Sequence, residues 1–245
     1  MRSWLFDLGN TRLKLAPLLP EGGVGETRAV AHDGDFAAVL ARVLPERIDV
    51  AHVAAVAGPA LRLQLVRALA GRCRRISFAT SVPRLARLVS GYPEPSRLGV
   101  DRFLALLAAS ADGGGAALVC GVGTALTLDL LDGEGRHLGG VIAPSPTLMR
   151  EALHARAPHL PEAGGVAADF ATATADALAS GCEGAAAALV RHRLQAAEGL
   201  VQNAPRLLLH GGGADALRPL LPEAVPRPQL VLEGLAEWAR AQASH

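Results

Sequence analysis

The chain opens on a dense apolar pattern broken at fixed points. Trp4, Leu5, Phe6 and Leu8 read as a short buried strand that carries Asp7 near its end. Gly9, Asn10 and Thr11 turn the chain, and Leu13 and Leu15 then alternate with Arg12 and Lys14 as a second strand would. Residues 26–31 form a third strand candidate. Residues 36–44 have helical spacing, with Asp35 placed as an N-cap. Residues 48–56, rich in Val and Ala, read as a buried strand. Residues 59–71 read as a helix with Pro in the first turn and Gly at the end, and 76–79 as the next strand. Strands first, then strand and helix in alternation, predict an α/β fold: a mixed sheet covered by helices.

The grammar changes at residues 91–102, GYPEPSRLGVDR. Two prolines, two glycines and a lone tyrosine predict a rigid loop leading into an apolar helix over 103–110. Residues 112–115 are polar and Gly-rich, a joint that divides the chain into 1–113 and 114–245. Just after it the opening pattern returns: Leu8 matches Val122, Gly9 matches Gly123, Asn10 matches Thr124, and Asp7 is matched by Gly121. A duplicated half with the same opening hairpin follows. Beyond it come a helix over 147–157, a long Ala-rich helix from Thr174 to about residue 197, and a strand over 206–210 that breaks into Gly211, Gly212 and Gly213. A helix over 214–221, a last strand over 230–232 and a final helix over 233–243 complete the expected order.

With 245 residues there is room for one large domain or two smaller ones. Hydrophobic residues make up 50% and aromatics 3%, so the core is built of Ala, Leu and Val. A net charge of +1 argues against a nucleic-acid footprint. Cys73, Cys120 and Cys182 are far apart, without metal spacing, and fit reduced thiols of a cytoplasmic protein. Asp7 interrupts any signal-like start, and no apolar run reaches the ~20 residues of a membrane span.

Two stretches carry chemistry. A glycine turn lets backbone N–H groups approach phosphate oxygens, and Asp7 beside it suits an intervening cation, usually Mg²⁺. The same residues also make an ordinary hairpin with a solvated Asp. Asp101 at a helix start is an ordinary first-turn residue, or a carboxylate placed to take a proton from a hydroxyl, with Arg102 beside it for an anionic group. The glycine triplet is a nucleotide contact or a plain tight turn. His210 reads as structural or as a cleft residue, Lys14 as a phosphate ligand or a solvated strand lysine, and Asp129 as a support for a metal's water shell or a strand-end cap.

Together these stretches resemble the type III pantothenate kinases, of the acetate and sugar kinase, heat-shock chaperone and actin superfamily. The family's Asp-x-Gly-Asn-Thr/Ser-x-x-Lys appears as Asp7, Gly9, Asn10, Thr11 and Lys14. Its Tyr…Leu-Gly-x-Asp-Arg appears as Tyr92 and Leu98 to Arg102, and its Gly-Thr-Ala-x-Thr-x-Asp as Gly123 to Asp129. Gly139 to Pro144, Leu160-Pro161, Thr174 with Gly181, and LVLEGL at 230–235 follow in the family's order. The resemblance implies two ribonuclease-H-like (actin-like ATPase) halves around an ATP cleft, a homodimer, and phosphorylation of pantothenate to 4′-phosphopantothenate on the way to coenzyme A. A regulatory accessory protein that binds nucleotide without kinase activity is the alternative. Residues Asp7, Leu8, Gly9, Asn10, Thr11, Arg12, Leu13 and Lys14 would form the first phosphate loop, with Asp7 near Mg²⁺ through water. Thr124 would contact ATP phosphate. Asp101 would be the catalytic base, and Tyr92, Gly99, Val100, Asp101, Arg102 and Thr174 would bind pantothenate. Two positions depart from the pattern. The family's Asp that resembles a monovalent-cation ligand (K⁺ or NH₄⁺) is Gly121 here, and its Pro-Gly is Pro144-Ser145.

Overall fold

A computed structural model describes residues 2–31 and 36–243; the Asp35 cap expected for the first helix lies outside them. In chain order the elements are β1 (Ser3–Leu8), β2 (Arg12–Leu18), β3 (Arg28–Ala31), α1 (Phe36–Val43), β4 (Ile48–Ala55), α2 (Pro59–Ala70) and β5 (Cys73–Phe78). A small hairpin, β6 (Arg84–Leu85) and β7 (Leu88–Val89), precedes α3 (Val100–Ala111). Then follow β8 (Ala117–Val122), β9 (Ala125–Leu131), β10 (His137–Pro144), α4 (Pro146–Arg156), α5 (Thr174–Glu198), β11 (Arg206–His210), α6 (Ala214–Leu217), β12 (Val225–Pro226) and α7 (Leu230–Ala243). Among the described residues no helix is long and apolar enough to cross a membrane.

Two compact units emerge: Met1–Asp112 with Gln229–His245, and Gly113–Pro228. Residues 229–243, grouped with the second half on chain order alone, pack with the first. Each unit holds one five-stranded sheet of the same topology, β3-β2-β1-β4-β5 in the first and β10-β9-β8-β11-β12 in the second. In both, an antiparallel meander is extended by parallel strands next to the opening strand: β1 pairs antiparallel with β2 and parallel with β4, and β8 does the same with β9 and β11. A strand enclosed on both sides and both faces should be apolar along its length. β8 fits, with all six residues buried, and β1 nearly so.

The internal echo extends to topology but slips within the turn. Leu8 pairs with Leu13 across the first turn, whereas Val122 pairs with Leu126 across the second. The second turn is therefore one residue shorter. The last strand expected over 230–232 is instead the first turn of α7. A short apolar run cannot by itself separate strand from buried helix, and here Leu230, Val231 and Leu232 are all buried on the helix that packs along α3. The helix expected over 214–221 ends at Leu217 and continues as a 3₁₀ turn over Arg218–Leu220, where Pro219 removes a donor.

The first core gathers Phe6, Leu8, Leu13 and Leu15 from β1 and β2 with Leu40, Val53, Leu65 and Leu69. The second gathers Cys120, Val122, Leu126 and Leu128 with Ala186, Val190, Leu207 and Leu209. In the first unit α7 lies so close to α3 that a Cβ on Gly234 would run into the backbone carbonyl of Leu104. Ala favours a helix over Gly by about 1 kcal/mol, but overpacking costs about 1–3 kcal/mol and here meets rigid backbone. Gly234→Ala should therefore lower the melting temperature; a rise would show that the helices can part at little cost.

His52 on β4 is 4% exposed and meets the Trp238 ring edge-on at 6.3 Å between centroids. Burial first, and the nearby Arg75 charge second, lower its pKa to about 4. The folded state thus resists protonation that the unfolded chain accepts near the ordinary value, so stability falls as pH drops from about 6.5 toward 4. His52→Gln should flatten that part of a stability–pH curve measured by urea unfolding; an unchanged slope would place the acid sensitivity elsewhere.

Candidate active site

In the first unit the functional candidates converge on the end of β1. Asp7 is paired across the hairpin with Lys14, and the turn between them is closed by the Gly9 N–H donating to the Arg12 carbonyl at 3.0 Å. Leu8 and Leu13 are fully buried, so the loop can offer a ligand only their main chain, while Asn10, Thr11 and Arg12 are exposed. The Leu8 carbonyl accepts N–H groups from Val56 at 3.1 Å and Ala57 at 3.3 Å, which ties the turn to the end of β4. Asp7 is partly open to solvent, yet desolvation lifts its carboxyl to about 6; the Lys14 charge opposes that rise and the Asp101 charge adds to it. Asp7, Lys14 and Asp101 therefore share one electrostatic environment although Asp101 is distant in sequence.

Asp101 lies in the first turn of α3. The helix starts at Val100, three residues before the expected 103, so Asp101 is held by helical backbone and not by the loop. Its Oδ1 accepts the Arg102 N–H at 2.8 Å, one of the donors a helix start leaves unsatisfied. A Cβ at Gly99 would stand 2.8 Å from the same oxygen, so the carboxylate lies directly against the glycine. Arg102 is buried, and its Nη1 donates to the Tyr92 hydroxyl at 3.1 Å with the guanidinium carbon 5.7 Å from the ring centroid. Ser81 Oγ donates to the Leu98 carbonyl at 2.7 Å and anchors the loop. Tyr92, Gly99, Val100, Asp101 and Arg102 thus form one fixed group.

In the second unit the Gly123 N–H donates to the Ala125 carbonyl at 2.9 Å and closes a turn that leaves Thr124 exposed. The glycine triplet lies against it: the Gly213 N–H donates to the Val122 carbonyl at 2.9 Å. Gly211 has φ +100°, and a Cβ there would strike the Val122 backbone. Thr174 begins α5, exposed, with the preceding loop tied down by the Val166 N–H donating to Asp176 Oδ1 at 2.8 Å.

Asp129 lies within β9 and does not cap a strand end. It is 2% exposed, and its Oδ1 accepts from His137 Nε2 at 2.9 Å, a hydrogen-bonded pair inside the sheet. No spacing in the sequence pointed to His137, because the pairing is made across β9 and β10. Among the described residues no group of three His, Cys, Asp or Glu gathers as a metal cage. A cation shared between Asp7 and phosphate oxygens needs none. Burial pushes the Cys120 thiol up to about 12, which leaves it inert as a nucleophile.

The sequence profile of the family described as type III pantothenate kinase matches residues 4–196. Proteins named type III pantothenate kinase from Xanthomonas oryzae pv. oryzae (strain PXO99A) and Stenotrophomonas maltophilia (strain K279a) are each 51% identical to the chain, over 100% and 98% of both sequences respectively. The chain belongs to the type III pantothenate kinase family. The (R)-2-hydroxyglutaryl-CoA dehydratase component A from Acidaminococcus fermentans, 14% identical, covers the whole of both chains with a TM-score of 0.58. That likeness shows the fold alone: two mixed sheets flanked by helices, in the actin-like ATPase and sugar kinase class. Within this pantothenate kinase family member the motif residues of the first unit sit together, Asp7 beside Lys14 and within the field of Asp101. Thr124 and Thr174 belong to the second unit.

Gly99 is the residue most sensitive to added bulk in this group. Gly99→Ala should displace the Asp101 carboxylate; since a shift of about 1 Å can cost ~10²-fold in rate, kcat should fall by up to that factor. Nucleotide affinity, measured by calorimetry, should stay near wild type. An unchanged kcat would show that the carboxylate position is not set by Gly99.

Proposed function

We propose that the chain transfers the terminal phosphoryl group of ATP to the 4′ hydroxyl of pantothenate, giving ADP and 4′-phosphopantothenate, the first committed step toward coenzyme A. The observation that carries this reading is the Asp101 carboxylate, fixed by the Arg102 N–H and by Gly99, in the electrostatic field of Asp7. Family membership names the acceptor.

Phosphoryl transfer asks chiefly for alignment and charge neutralisation. The turn from Asp7 to Lys14 supplies backbone donors and one ammonium to the phosphates, and the family motif assigns Thr124 of the second unit a phosphate contact of its own. Arg102, positioned by Tyr92, suits the carboxylate of pantothenate, with Gly99 and Val100 beside it; the family motif also assigns Thr174 of the second unit a pantothenate contact. Asp101 orients the acceptor hydroxyl and takes its proton as the oxygen bonds to phosphorus; ADP departs with the electrons of the broken bond. Asp7 would hold Mg²⁺ through water, and the metal when bound neutralises phosphate charge. The same reading makes the enzyme a cytoplasmic homodimer with no nucleic-acid or membrane partner.

An ADP-release assay coupled to product detection should show one 4′-phosphopantothenate per ADP. Asp101→Asn should lower kcat by about 10²–10⁴-fold, the span of a lost general base, with little change in the KM for pantothenate. Bound nucleotide with no transfer under any salt condition would instead identify an accessory protein.

A further inference from the structure

The family resemblance brings a monovalent cation with it, whose carboxylate ligand would stand at position 121, and that residue is Gly121. Gly121 is buried on β8, between His210 of β11 and Thr127 of β9 in register. A Cβ at 121 would lie 2.7 Å from Thr127 Oγ1, 3.0 Å from His210 Nε2 and 3.1 Å from His210 Cε1. The space that a side chain from 121 would enter is already filled by an imidazole. The backbone that carries the ring is fixed on both sides. Before it runs the parallel pairing of β11 with β8; after it comes Gly211, whose left-handed turn presses on Val122.

These residues do not fit an alkali-cation site. The anionic oxygen is gone, and a ring nitrogen stands in its stead. Hard cations take oxygen ligands, and an imidazole binds them poorly when neutral and repels them when charged. The ring lies two residues from the Gly123–Thr124 turn, in the same stretch of sheet that holds that turn in shape.

We infer that His210 takes over the place of the monovalent cation in this chain, so that the second phosphate turn is supported by a side chain and turnover requires neither potassium nor ammonium. His210 acts here as a positioning residue. Adding a carboxylate at 121 without removing the ring would crowd β8, whereas exchanging the two should rebuild an ion-dependent site.

This inference rests on the kinase reading, and the experiment separates the two. Turnover is measured in the chlorides of potassium, ammonium, sodium and tetramethylammonium at equal ionic strength. Rates that agree within about twofold support the inference; activation by potassium or ammonium of about tenfold or more over tetramethylammonium overturns it. Absence of turnover in every salt counts against the kinase reading alone. The affinity for a non-hydrolysable ATP analogue with Mg²⁺, and the melting temperature, then carry the test in potassium against tetramethylammonium. Equal values support the inference, and potassium-linked tightening of about tenfold overturns it. Gly121→Asp alone should lower the melting temperature by steric conflict with His210 and Thr127. His210→Ala should lower kcat about tenfold without rescue by potassium. The double variant Gly121→Asp/His210→Ala should recover turnover that potassium stimulates; a folded double variant as indifferent to potassium as the wild type would overturn the exchange. Should the double variant not fold, the wild-type salt series decides the matter.

Discussion

One hydrogen-bonding arrangement recurs in both units and fixes what each can do. The carbonyl at the end of the opening strand, Leu8 in the first and Val122 in the second, accepts an N–H from the segment just past the neighbouring parallel strand. In the first unit the donors are Val56 and Ala57, in the second Gly213. A strand end would otherwise fray, and the turn after it would sample many shapes. Tied in this way, each glycine turn is presented by a buried strand whose own position the core determines. The cost is steric: Gly211 takes a left-handed conformation, and any side chain there would also meet the Val122 backbone.

The first unit adds charge to that frame. Asp7 sits where desolvation disfavours its ionised form, and the Asp101 charge adds to that penalty while Lys14 relieves part of it. Two carboxylates in one field favour an arriving cation. Asp101 gains its fixed place from a different source, the Arg102 N–H at the start of α3 and the absence of a side chain on Gly99. α3 is in turn fixed by α7, which approaches it closely at Gly234 and buries Leu230 to Leu232. The C-terminal helix thus contributes to the site without carrying a site residue.

The duplicated topology explains why the two turns resemble each other, and their divergence explains why they are not interchangeable. The first keeps a carboxylate at its strand end; the second has Gly121 there, a shorter loop, and an imidazole from the adjacent strand over the glycine. The buried Asp129–His137 pair marks another divergence, since it commits to the interior of the second sheet a carboxylate that the motif alone leaves open to either role.

What the sequence determined by itself was local. Alternation and burial in residues 4–15 specified a hairpin, the glycines specified where the chain turns, and proline with glycine over 91–99 specified a rigid approach to a helix. These features depend on neighbours a few residues away, and so most strands and helices could be read directly, but not the short β6, β7 and β12. The apolar run 230–232 could not be resolved in the same way, because strand and buried helix place the same demand on three consecutive apolar residues; packing on α3 decided it. The fields that couple Asp7 to Asp101, the pair Asp129–His137, the seat of the glycine triplet on Val122 and the ring of His210 over Gly121 were decided by tertiary structure alone. Each joins residues on different elements, and sequence spacing holds no record of which strand becomes whose neighbour until the sheet register is set.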